Sequence, residues 1–438
     1  MPRIDRRRFL QGGAATAALA AMPRPFAGAL GVRNAYGAGP ANPIFVFVQL
    51  GGGNDGLNTV IPLDDTGPVA QRSLYEAARP TLAVPTAALA LTRIDDDPVK
   101  GTGLALHPSM PELKALYDQG RVAVLNGIGY PAPSLSHFRS EDIWFGAENI
   151  GPFPGGWLGR YLDTYYTSSD LVALDADSTL NPAFFGDTAN VLAVKKLSQF
   201  KLPDDSVFPD AVARRLALDT AYASEADPLQ TAGLQQTIGN SGNVLLGKID
   251  EFAAIDRSWG SNLESVDDKF ADRLLEIASV IRHDELIGPP VGVRYFHCRR
   301  GGFDTHTGQG ALAGRQADLL AAVSQGLAAF WQDMVDIGVE DRVLIVTMSE
   351  FGRRVEENGG LGTDHGEASC LFAIGNTVQG GVHGTVPALD DLDRGNLKFH
   401  TDFRSVYATI IDRWLQSPGA HTALLPGAPY PLLDFLPA

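Results

Sequence analysis

Cysteine is the scarcest chemistry in this sequence. The 438 residues include two, Cys298 and Cys370, too few for a disulfide framework. Both sit at or near apolar runs with strand character, and a single disulfide pair and two buried free thiols are both open. Positive charge is also short: 35 Lys and Arg stand against 51 Asp and Glu, a formal net charge of −16. A chain this acidic is a poor partner for nucleic acid, whose phosphates are bound by Lys and Arg. Long hydrophobic runs are missing too. The one candidate, Gly12 to Met22, is too short and alanine-rich to cross a bilayer, so no stable membrane span is expected. There is no internal repeat or low-complexity tract. What remains is ordinary globular material, 45% hydrophobic and 20% charged, long enough for one large α/β domain or two smaller ones.

The first segment reads as an address. Arg6-Arg7, followed by Phe9-Leu10 and an Ala/Gly-rich run, resembles a twin-arginine export signal. The expected partner is the twin-arginine translocation machinery, and the destination is the periplasm or beyond. Residues 1–38, signal and linker, carry six Arg and one Asp, so their removal takes the formal charge from −16 to −21. Residues 39–438 are then expected to form a single α/β domain. Within it, about 150–260 reads as an insertion or cap over the sheet edge.

Past the signal the chain alternates strand, polar loop and helix. Buried strands are expected at Ile44–Leu50, Val122–Asn126, Val291–His297, Val343–Thr347 and Cys370–Gly375. Residues 62–103, with several prolines, read as a surface excursion. Helices are expected at Pro108–Gly120, His137–Phe145, Asp210–Ala221, Asn262–Arg282, Leu312–Ile337 and Thr401–Leu415. This rhythm predicts a mainly parallel sheet sandwiched by helices.

Polar groups gather where the strands end, which is where open α/β sheets bind ligands. The first strand runs into Gly51-Gly52-Gly53-Asn54-Asp55-Gly56. Gly51, Gly53 and Gly56 fit a dinucleotide-loop spacing, but no acidic strand end follows at the distance such a site requires. The second strand leads to Ser134, Ser136 and His137. Ser136 is either a helix cap or a nucleophile beside helix-start N–H groups. The third leads to Asp304 and His306, two residues apart and so able to face one ion on extended backbone. The fourth leads to Glu350 and, past a Gly-rich loop, to Asp364 and His365. Mixed carboxylate and imidazole donors suit zinc, manganese or iron better than calcium, as one divalent ion or two.

The segments LGGGNDGLN, GYPAPSLSHFRSEDIW, GGFDTHTGQG, SEFGRRVEENGGLGTDHG and TDFRSVYATIIDRWL resemble signatures of the domain-of-unknown-function 1501 family, whose members are typically exported by the twin-arginine route. That family in turn resembles the alkaline phosphatase and sulfatase superfamily. The resemblance implies an α/β sandwich, bound divalent metal and a serine-type nucleophile acting on phosphate or sulfate esters. It puts Asp55 at a metal-binding Asp and Ser136 at the nucleophile, with Ser134 as a rival. Asp304 and His306 lie closer together than the superfamily's Asp and His, and the strand that normally ends Asp-His-Gly here ends Glu350-Phe351-Gly352. Asp364-His365-Gly366 comes later. In the implied mechanism, metal is held by Asp55, Asp304, His306, Glu350, Asp364 and His365, and Ser136 attacks a small anionic ester. His137 hands over a proton, and Arg139 or Arg353 clamps the anion. The alternative is an exported binding or assembly protein that keeps the fold without turnover.

Overall fold

The computed structural model describes residues 40–63, 71–95, 103–202, 210–229, 231, 233–287 and 292–438. The twin-arginine segment and the expected strand start at Val291 lie outside them.

The strand β1 (Ile44–Gly51) is buried along its whole length. Phe45 and Phe47 enter one core layer; Ile44, Val46, Val48 and Leu50 enter the other. Burial on two faces is why the run shows no polar alternation. The main sheet continues with β2 (Val122–Gly129), β3 (Leu171–Asp175), β4 (Asn190–Ala193), β5 (Tyr295–Gly301), β6 (Val343–Met348), β7 (Ser369–Gly375), β8 (Gly381–Gly384) and β9 (Thr401–Asp402). Its order is β8-β2-β7-β6-β1-β5-β3-β4, with β9 also on β2. Strand β7 is antiparallel to both neighbours, β2 and β6, and every other pairing is parallel. The carboxyl ends of β1, β2, β5 and β6 therefore open on one edge. Because β7 is reversed, the residues just before it reach that edge as well.

Helices Pro111–Asp118, Lys269–Ile287 and Arg315–Ile337 cover one face. Helices His137–Gly146, Trp157–Tyr165 and Phe403–Thr409 cover the other. The expected Thr401–Leu415 helix is α-helical only to Thr409, then makes a π turn over Ile410–Trp414 that lets the Trp414 indole N–H donate to the Ile44 carbonyl at 3.2 Å. The 150–260 region contributes β3 and β4 to the sheet and two helices packed together, Ala211–Ala226 and Leu234–Ala253. The second helix is hard to see in sequence because its opening, LQQTIGNSGN, has few apolar residues to set a period.

Residues 62–103 correct the reading of a surface excursion. They hold a helix, Gln71–Ala78, beside a small sheet of Val60–Pro62, Leu104–Leu106 and Arg93–Asp95. Arg72, Tyr75 and Arg79 are buried there. Cys298 and Cys370 are buried and free. Among the described residues no helix is long and apolar enough to cross a membrane.

Candidate metal centre

Three loops meet above the carboxyl ends of β1, β5 and β6, and one arginine ties them. Arg353 is buried. Its Nε donates to Gly53 O at 2.7 Å, its Nη1 to Thr363 O at 2.9 Å, and its Nη2 to Gly52 O, to Phe303 O at 3.0 Å and to Asp304 Oδ1 at 2.7 Å. Arg353 also begins a hairpin: Arg353–Glu357 pairs antiparallel with Thr363–His365. That hairpin carries Asp364 and His365 back over the edge.

Three imidazoles then converge. His306 Nε2 lies 2.9 Å from His365 Nε2. Both are 3.2 Å from Asp304 Oδ1, and His137 Nε2 is 3.5 Å from Asp304 Oδ2. Each ring turns its other nitrogen to an acceptor. His137 Nδ1 faces Glu350 Oε1 at 2.8 Å, His306 Nδ1 faces Asp364 Oδ1 at 3.1 Å, and His365 Nδ1 faces the Leu135 carbonyl at 2.7 Å. An ionised carboxylate or a carbonyl can only accept, so each Nδ1 carries a hydrogen, and a ring with no second proton aims a lone pair from Nε2. Two such lone pairs at 2.9 Å repel unless a proton or a cation lies between them. Two donors on a tetrahedral ion of zinc size stand about 3.3 Å apart, from bonds of about 2.0–2.1 Å. The contacts of 2.9–3.5 Å bracket that value. His137, Asp304 and His365 also offer ligand atoms all within 4.8 Å of one another. The triad of His137, Asp304 and His365 therefore fits a divalent ion, with His306 beside it at His365 and Asp304, and with acceptors on Nδ1 of the kind that orient metal-binding histidines.

The charges follow the same arrangement. Burial raises the Asp304 carboxyl, but Arg353 and His365 outweigh it and bring it down to about 2. Glu350 is fully buried, which pushes it up; hydrogen bonds from His137, its own backbone and the Gly52 N–H win and hold it below the usual carboxylate range. The hydrogen bond to Glu350 raises the His137 imidazole. Burial lowers His365. The bond from Asn358 leads in lowering Asp364.

Several expected roles change. Asp55 is fully buried and forms a two-pronged ion pair with Arg79, Nη1–Oδ2 2.6 Å and Nη2–Oδ1 2.9 Å, while Gln309 Nε2 donates to its Oδ2 at 2.6 Å. Its carboxylate is filled by that partner and is not a ligand. Glu350 and Asp364 orient His137 and His306 rather than join the inner set. His137, expected to move a proton, points its Nε2 into the cluster. Arg353 is buried, with each of its three nitrogens donating to the protein, and is not placed to clamp a substrate. Arg139 donates from Nη2 to the carbonyls of Asn149 and Gly151, each at 3.2 Å, and holds that loop. Ser136 is exposed at the N-terminus of the His137–Gly146 helix, and its side chain makes no capping bond. It stands between Leu135, whose carbonyl holds His365, and His137. Ser134 Oγ instead accepts from the Ser136 N–H at 3.2 Å. Sequence reasoning missed Arg79, since one arginine just past a polar helix carries no mark of burial.

Residues 288–432 match the family model described as Protein of unknown function (DUF1501). That stretch spans β5 to the last helices and contains Asp304, His306, Glu350, Arg353, Asp364 and His365; His137 and Ser136 precede it. No curated protein matches the sequence. Among solved structures, the PsFucS1 sulfatase from Pseudoalteromonas sp. is similar at 10% identity and a TM-score of 0.34, over 80% of this chain and 66% of that one. A protein in the alkaline phosphatase superfamily from Vibrio parahaemolyticus is similar at 9% identity and 0.35, over 81% and 65%. The phosphonate monoester hydrolase of Agrobacterium radiobacter is similar at 10% and 0.32, over 84% and 73%. The chain thus spans just under two thirds of the first two.

Proposed function

We propose that this chain is an exported, metal-dependent hydrolase of small phosphate or sulfate esters with Ser136 as nucleophile. The observation that carries the reading is the convergence of His137, His306 and His365 through Nε2 on the Asp304 carboxylate. Those four residues would hold the ion. Nitrogen and oxygen donors without sulfur favour zinc, manganese or iron over calcium. Such an ion, when bound, supplies Lewis acidity to an ester oxygen and to a neighbouring hydroxyl.

The protein's own part is positioning. Glu350, Asp364 and the Leu135 carbonyl fix the three rings. Arg353 fixes Asp304. Ser136, uncapped and flanked by two residues of the site, presents its hydroxyl to the ester phosphorus or sulfur. Attack forms the bond from Ser136 Oγ to phosphorus or sulfur as the bond to the alcohol oxygen breaks, the serine proton leaving on the alcohol; water then cleaves the Ser136 ester, restoring the hydroxyl and releasing the anion. Export rests on Arg6-Arg7 with Phe9-Leu10.

The rival reading, a non-catalytic binding or assembly protein, draws on the engaged carboxylate of Asp55 and on the arginine at Asp304. Assay with aryl phosphate and aryl sulfate esters separates the two. Ser136→Ala is expected to abolish turnover while keeping metal and a stability within about 0.5 kcal/mol of wild type. His306→Ala is expected to lose metal and turnover together. Metal-loaded wild type that cleaves neither ester class supports the rival.

A further inference from the structure

We infer that Arg299 binds the anionic head of the ligand, in an oxyanion subsite beside the imidazole cluster. The inference rests on the hydrolase reading only in naming that anion a substrate.

Arg299 lies on β5, opposite Gln49 of β1, on the strand that runs on into Asp304. Its guanidinium lies across Gly51: a Cβ on that glycine would meet Nε at 2.3 Å and Nη2 at 2.6 Å. The next residue, Gly52, donates its N–H at 2.8 Å to Glu350 Oε1, the same oxygen that holds His137. Glu141, one helical turn after His137, stands on the other side. It takes Gln49 Nε2 at 2.7 Å and Arg299 Nη2 at 3.5 Å. The guanidinium is thereby framed by groups that also frame the cluster.

Its hydrogen-bond capacity is almost unused. The contact to Glu141 is a single long one. Nε is buried with no acceptor, and Nη1 makes no hydrogen bond among the described residues. Arg139 and Arg353, by contrast, donate to backbone carbonyls. A buried donor left unpaired is costly, and native structures retain few. The side chain is still 42% exposed, so ligand can reach it. A planar fork beside a carboxylate-rich site matches a tetrahedral oxyanion, which accepts two parallel N–H bonds. Glu141, Asp304, Glu350 and Asp364 all repel an anion, so positive charge at the mouth is what admits one.

The probe is inorganic phosphate, titrated calorimetrically into the full-length chain after metal loading, with metal content and cooperative unfolding measured on every variant. Arg299→Ala is expected to weaken phosphate at least about tenfold, the loss of a charged hydrogen-bonding partner, with metal content unchanged. Arg299→Lys is expected to recover only part, since an ammonium lacks the fork. Gly51→Ala, which displaces the guanidinium without removing it, is expected to weaken phosphate as well. Phosphate bound equally by wild type and Arg299→Ala overturns the inference, as does a wild type that binds none at millimolar concentration. Wild type without metal defeats the hydrolase reading alone; phosphate binding that still depends on Arg299 in that protein upholds the subsite.

Discussion

A histidine's role is set by what faces each nitrogen. His137, His306 and His365 each have an acceptor at Nδ1, and that leaves three Nε2 lone pairs crowded around Asp304. Asp284 shows the opposite case, a carboxylate with too little support for its burial. It is 8% exposed and its Oδ2 has no hydrogen-bond partner. Burial, only partly offset by Lys248, raises its carboxyl from 3.8 to about 6. The folded chain therefore holds this proton more tightly than the unfolded chain does. Lower pH favours folding through Asp284, and its penalty grows as pH rises from about 4 to 6, then stays constant. Asp284→Asn is expected to stabilise the protein by about 3 kcal/mol at pH 8 and to lose that gain by pH 4. Denaturant titration at the two pH values checks it; an equal gain at both would refute the assignment.

The hairpin Arg353–Glu357/Thr363–His365 delivers His365, and its turn packs on the loop that carries His306. A Cβ at Gly362 would meet the Thr305 carbonyl oxygen at 2.3 Å and the His306 carbonyl oxygen at 2.4 Å, backbone that cannot step aside. Gly362→Ala is expected to separate His306 from His365 and cut metal affinity at least about tenfold, as lost support around metal ligands does; unchanged affinity on metal titration would count against this geometry. The helix Gln71–Ala78 leads directly into Arg79, which locks the loop after β1 through Asp55. Arg79→Ala leaves that carboxylate buried alone and is expected to cost about 3–5 kcal/mol, read by chemical denaturation. A loss under about 1 kcal/mol would mean that the pair is weakly coupled to folding. These two elements mark where sequence reading stopped. The strands were legible because IFVFV and VLIVT are buried on both faces and carry no polar interruption. The hairpin and Arg79 were not: Arg79 meets Asp55 24 residues before it and the Arg354 and Val355 carbonyls 275 and 276 residues after it, the hairpin's Arg353 bonds Gly53 300 residues before it, and local pattern carries no trace of such contacts.

Across the whole molecule, parallel order brings four strand ends to one edge, and a single reversed strand, β7, returns the Asp364-His365 segment to it. The parallel order follows from the alternation of strand and helix, which also marks Asp304, His306 and His365 as candidates on its loops; the reversal of β7 does not follow from it. Which carboxylate holds a ligand and which holds a histidine did not, since Asp55, Glu350 and Asp364 differ only in what the fold places against them. In the proposed site, His137, Asp304, His306 and His365 hold one cation. Its most direct test is equilibrium binding of zinc to the chelator-treated full-length chain, compared with His137→Ala and His365→Ala. One ion per wild-type chain is expected, with loss of that ion in both variants and cooperative unfolding retained. Wild type that binds no zinc, manganese or iron, or variants that bind as tightly as wild type, would contradict it.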